Sequence, residues 1–183
     1  MDETSILKVF FEKVGEVGFY NVSYENLAQE LLLDGASLKS QFPEPIDFLK
    51  ALLKSLDKIT LAPEDLSLTL KEALFECCMV RIEALDPYKN GLKHLIKEIE
   101  KTFFYEGRNL LFLKDITPFL LKSMESILKE VGIEPHFPKK WALLIVFSLT
   151  LRVWIDEETG DLSQTLQALD HSLNLLFLKY ENF

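Results

Sequence analysis

The stretch Ser23-Tyr24-Glu25-Asn26-Leu27-Ala28-Gln29-Glu30-Leu31, followed by Leu33-Asp34-Gly35-Ala36-Ser37-Leu38 and by Phe42-Pro43, decides the fold of this chain. Its spacing is that of two short helices meeting at a tight turn. Ser23 reads as an N-cap for a helix over 24–31. Asp34 can cap the next helix, over 35–41, because its carboxylate accepts orphan backbone N–H groups. Upstream, Ile6, Leu7, Phe10, Phe11, Val14 and Val17 form one apolar helical stripe that stops at Gly18. The pattern is a helix-turn-helix, but the charge argues the other way. Residues 1–50 carry nine acids (2, 3, 12, 16, 25, 30, 34, 44 and 47) against lysines at 8, 13, 39 and 50, a net of −5 with no arginine. Neutralisation of phosphates by Lys and Arg dominates DNA affinity, so shape and charge pull apart here.

Helical periodicity continues through the rest of the chain, with no hairpin signal to compete with it. Past the break at Pro43 and Pro45, residues 46–59 place Phe48, Leu49, Leu52, Leu53 and Leu56 on one side. Ala62-Pro63-Glu64-Asp65 marks a boundary between a head, 1–60, and a body, 61–183. In the body, helices are expected over 66–85, 88–106, 119–131, 138–155 and 161–180, with a short segment over 109–116. Asp86-Pro87 and Thr117-Pro118 each read as a cap followed by a first-position proline, Gly132 as a stop, and Asp161 with Gln164 as a capping box. The fold class is therefore all-α, with about nine helices.

The chain has 183 residues, 48% of them hydrophobic, enough to bury a substantial core. A net charge of −9 disfavours nonspecific attraction to nucleic acid or anionic membrane. The two cysteines, Cys77 and Cys78, are adjacent. Helical neighbours point about 100° apart, which suits neither a metal pair nor a disulfide and implies a reducing, cytoplasmic setting. The N-terminus lacks the positive start and apolar run of a signal peptide. The apolar run 141–155 is shorter than the roughly 20 residues of a membrane span and contains Arg152, so it reads as a core helix.

Catalytic chemistry is not visible, and the expectation is a protein that is not an enzyme and carries no metal and no cofactor. His94, His136 and His171 are isolated, without an acid or thiol at ligand spacing, and no HExxH or CxxC occurs. No glycine-rich phosphate loop is present. Asp156-Glu157-Glu158 with Asp161 lacks the alternating oxygen ligands of a calcium loop and reads as a solvated turn that caps a helix.

On Ser23, Leu27-Ala28, Leu33, Ser37-Leu38 and Phe42-Pro43, the chain resembles the TetR family of ligand-responsive repressors. The resemblance implies a DNA-binding head and a ligand-binding, dimerising body. It places Ser37, Lys39, Ser40 and Gln41 on the recognition helix, where Gln and Lys can read base edges. Departures fall at the DNA face: Leu32 stands in place of the turn glycine, Lys39 in place of a tyrosine, and Pro45 in place of a lysine, with Glu44 and Asp47 beside it. The body, through Leu74-Phe75, Met79 to Leu85, Ser123-Met124, Gly132-Ile133 and the run Arg152-Val153-Trp154-Ile155-Asp156…Gly160-Asp161-Leu162…Thr165…Leu169-Asp170, resembles a TetR-like group. That group is related to the lipid-binding accessory protein of ubiquinone biosynthesis.

Aromatics and flexible methionines can line an apolar cavity, and Phe75, Met79, Ile82, Phe104, Phe119, Leu120, Met124 and Phe147 are the candidates for a ligand pocket. The helix over 138–155 is apolar almost all round, and a stripe at 162, 166, 169, 173, 176 and 177 follows it. Two such helices per chain can form a four-helix interface with their copies, burying about 800 Å² per partner. Trp141, Ile145, Leu149, Trp154, Leu162, Leu166, Leu169 and Leu173 are the residues expected at this homodimer interface. Two functions remain open: a TetR-like regulator with a small apolar ligand and weakened or lost DNA binding, or a lipid- or isoprenoid-binding accessory protein that does not bind DNA.

Overall fold

The computed structural model describes residues 2–59, 68–102 and 107–179. The boundary expected at 62–65 and the aromatics Phe103, Phe104 and Tyr105 lie outside the described residues. Among those described, the chain is all-α: α1 (Glu3–Val17), α2 (Tyr24–Glu30), α3 (Gly35–Gln41), α4 (Pro45–Leu56), α5 (Leu70–Ala84), α6 (Lys89–Thr102), α7 (Gly107–Glu130), α8 (Phe137–Asp156) and α9 (Ser163–Lys179). Short 3-10 turns at Phe19–Asn21 and Asp86–Tyr88 precede α2 and α6. No helix among the described residues is long and apolar enough to cross a membrane.

Helices form where the caps allow. Ser23 accepts from the Asn26 N–H at 3.3 Å and Asp34 from the Ser37 N–H at 2.8 Å, starting α2 and α3 as expected. Thr69 and Glu72 form a reciprocal capping box at the start of α5. Gly132 ends the helix before it: its φ of 77° turns the chain so that the Ile133 N–H reaches the Leu128 carbonyl at 2.8 Å. Thr117-Pro118 does not separate two helices. α7 runs unbroken through Pro118, and the Thr117 hydroxyl donates to the Leu113 carbonyl at 2.6 Å, one turn back. A proline costs a helix one N–H and crowds the preceding turn, yet α7 continues past it. Asp86-Pro87, likewise, opens a 3-10 turn and α6 begins only at Lys89.

The chain forms two compact units: Met1–Lys54 with Asp86–Thr117, and Ser55–Leu85 with Pro118–Phe183. In the first, Phe48 stacks between Phe10 (3.9 Å between ring centroids) and Phe42 (4.1 Å), closing α1, α3 and α4 around one aromatic core. Helix α6 clasps α1 on its other side. Phe11 meets Tyr88 edge-on, and the Phe19 N–H donates to Glu98 at 3.1 Å. The backbones touch at Gly91, where an added Cβ would lie 2.2 Å from the Phe11 carbonyl oxygen. Gly91→Ala is therefore expected to cost about 1–3 kcal/mol in urea unfolding, the range for forcing a methyl into packed surroundings. Gly160→Ala, whose Cβ would meet nothing within 4 Å, is expected to change stability by less than about 0.5 kcal/mol.

In the second unit, α8 packs along α9, and α5 lies against both. Leu143, Trp154, Leu169 and Leu173 are wholly buried there, with Cys77, Cys78 and Ile82 of α5. Burial pushes the thiols of Cys77 and Cys78 up to about 11 and about 12, so both stay protonated and inert at neutral pH.

Candidate functional site

The head presents α3 to solvent as the sequence predicts. Ser37, Lys39, Ser40 and Gln41 are all exposed, while Leu38 on the opposite face is buried. Around them the local charge is spent internally. Each helix start that could meet a phosphate is closed by a side chain of the head itself: Ser23 at α2, Asp34 at α3, and Asp47, which accepts the Glu44 N–H at 3.0 Å, at α4. Lys50 is held by Asp47 at 3.0 Å. Lys13 lies between Glu30 (3.0 Å) and Glu16 (3.1 Å), which raise its pKa. Glu25 is held below the usual carboxylate range by its own backbone N–H and by Ser23, with the charge of Lys39 adding to it. The Tyr24 hydroxyl is pushed up to about 12 by burial and by the nearby Asp47 and Glu44. Leu32, in place of the turn glycine, adopts φ 54° and is 91% exposed.

Helices α8 and α9 carry an open apolar groove of about 770 Å³ on the second unit. Phe137, Trp141, Ile145 and Leu149, one turn apart on α8, line it with Leu175 and Leu176 of α9. Ile145, Leu149 and Leu175 are 58, 57 and 54% exposed. Of the eight interface candidates, Trp141, Ile145 and Leu149 thus share one open face. Trp154, Leu169 and Leu173 do not: they are taken up by the chain's own core because α8 and α9 pack on each other first. Leu162 sits in the turn before α9, and Leu166 lines a separate cleft with Phe75. Sequence reasoning missed Phe137 because it started the helix at Pro138, and Leu175 because it falls beside the buried stripe. Of the pocket candidates, Met79, Ile82, Met124 and Phe147 are buried, Phe75, Phe119 and Leu120 are half-buried, and Phe104 lies outside the described residues.

The acidic turn between α8 and α9 is not wholly solvated. Glu157 is 3% exposed, and its carboxylate accepts from the backbone N–H groups of Gln164 (2.8 Å) and Thr165 (2.9 Å) and from the hydroxyls of Thr159 (2.8 Å) and Thr165. Desolvation works to raise its pKa, but these hydrogen bonds outweigh it and hold the group down at about 2. Glu157 caps α9; the capping box expected from Asp161 and Gln164 does not form, Asp161 instead accepting from the Ser163 N–H. Arg152 pairs with Asp156 on the surface at 2.9 Å. The run that carries the body's resemblance is therefore the joint between two helices. His94, His136 and His171 are all exposed, and no cluster of metal-ligating side chains occurs among the described residues.

No protein-family model matches the sequence, and no curated protein matches it. Among solved structures, the chain is similar to a TetR transcriptional regulator from Nitrosomonas europaea, with a TM-score of 0.69 over 94% of this chain and 96% of that one, at 13% identity. The fold is therefore TetR-like.

Proposed function

We propose that this chain forms a homodimer that holds a small apolar guest in its body and has weakened or lost the grip of a repressor on DNA. Its kin by activity are then lipid- or isoprenoid-binding accessory proteins. The observation that carries this reading is the self-neutralised head: Asp34 and Asp47 occupy the starts of α3 and α4, and Lys13 and Lys50 answer acids of the same module. A phosphate would have to displace a carboxylate at each of these positions, at a cost in both charge and hydrogen bonds. Retained DNA reading has one observation in its favour, the common exposure of Ser37, Lys39, Ser40 and Gln41 on α3.

Fluorescence anisotropy with a pool of mixed duplexes at low and physiological salt separates the two. Each phosphate contact contributes a slope of about −0.9 to log K against log salt. Lys39 is the one cation among these four exposed residues, so the expected slope is shallower than about −2 per head. A steep slope together with sequence preference would restore the regulator. Mass spectrometry of an organic extract of the purified protein is expected to find a bound lipid.

A further inference from the structure

Helix α6 carries lysine at 89, 93, 97 and 101, about one per turn along its outer side. Leu92 and Leu95 are buried on the opposite side, and Glu98 turns toward the Phe19 N–H. Lys97 and Lys101 are exposed and Lys89 and Lys93 half-buried, so the row runs about 18 Å at 1.5 Å per residue. Like charges four residues apart work against a helix, and three such pairs follow one another here. Of the two acids of α6, only Glu100 is exposed beside the row; Glu12 and Glu16 of α1 border it across the cleft at Asn90. The chain's net charge of −9 does not cancel the row, because charges farther off than about 8 Å are largely screened at physiological salt.

We infer that the lysine row of α6 is a docking surface for an anionic lipid bilayer, its ammonium groups meeting the phosphates of lipid head groups. This rests on the proposed apolar guest, since such a molecule partitions into lipid, and it names where the protein meets that store. A nucleic-acid duplex holds its phosphates in fixed places, and a guanidinium fork grips those best; the row has no arginine. Lysine acts as a point charge on a flexible stem, which suits mobile head groups. The exposed residues among the lysines are Asn90, His94 and Glu100, all polar. Contact is therefore electrostatic, without apolar insertion, and is reversed by salt.

Co-sedimentation of the intact chain with vesicles tests this, using phosphatidylcholine alone and phosphatidylcholine mixed with phosphatidylglycerol. Binding is expected to the mixed vesicles only, and to vanish at high salt. A lysine near an anionic surface contributes about fivefold to partitioning, so Lys97→Gln with Lys101→Gln should weaken it about 25-fold. Lys8→Gln with Lys122→Gln removes the same charge from exposed sites off the row and should weaken it less than about twofold. The row variant relieves repulsion within α6, so its urea unfolding should be no easier than the parent's. Equal losses in the two variants, equal binding to both vesicle types, or binding to neither would overturn the surface. So would a mixed-sequence duplex that binds through the row and displaces the vesicles. The organic extract reads the guest separately. A protein loaded with lipid that ignores the mixed vesicles overturns the surface alone; an empty protein that binds them through Lys97 and Lys101 overturns the guest alone.

Discussion

Leu149→Glu is expected to sediment as a folded monomer, and the unaltered chain as the homodimer proposed above. Leu149 ends the α8 row Phe137, Trp141, Ile145 and Leu149 that lines the groove and is already 57% exposed. A carboxylate there is solvated in the monomer and costs the fold little. Pressed against the apolar groove of a second copy, it would be buried without a partner, which costs several kcal/mol. That weakens association by about a thousandfold or more. A two-fold interface repeats every insult, since each copy contributes the same patch. Analytical ultracentrifugation across a concentration series reads the change. Leu32→Glu, at a still more exposed leucine in the head, serves as the control and should remain dimeric. If Leu149→Glu sediments like the parent, the groove is not the contact between copies.

The second large effect belongs to Glu157. Glu157→Ala removes the acceptor for two backbone N–H groups and two hydroxyls, one of the N–H groups and one hydroxyl belonging to the wholly buried Thr165. Stranded donors in dry surroundings cost about 1–3 kcal/mol apiece, so a loss of about 3 kcal/mol is expected in denaturant unfolding. Glu157→Gln keeps the shape but turns an amide donor toward Thr165, and an intermediate loss is expected. The pH dependence has a definite sign. The folded carboxyl is held at about 2, below the ordinary value of 4.5, so its contribution is complete above about pH 4.5 and fades as pH falls toward 2. The stability gap between the parent and Glu157→Gln should therefore narrow across that window. A gap that is constant from pH 7 to pH 2 would show that the carboxylate charge plays no part.

The front of the molecule was readable because its signals are local. Ser23, Asp34 and Gly18 each act within one turn of the backbone, and α1, α2 and α3 follow from them. The body was less legible where tertiary packing overrode local punctuation. Pro118 carries the marks of a helix start, yet α7 passes through it. Glu157 reads as one of a group of surface acids. Only the return of α9 brings Gln164 and Thr165 to its carboxylate. The apolar helix α8 offers no periodic cue, so which of its faces meets α9 and which stays open could not be read from the string. Trp154 and Trp141 look alike in sequence and end on opposite sides of that division. The ion pair of Arg81 with Glu130 gave no warning either, because the two lie 49 residues apart.

The clasp of α6 on α1 has a consequence for anyone who would cut or graft this protein. The reader-like front end is not a continuous stretch of chain, because residues 86–117 belong to the same compact unit. A fragment stopping at residue 59 would strip Phe11 and Phe19 of the helix that shields them, and sticky aggregates are the expected product. A chimera that swaps this front end onto another scaffold has to transplant α6 along with it, keeping glycine at position 91 where the two backbones meet.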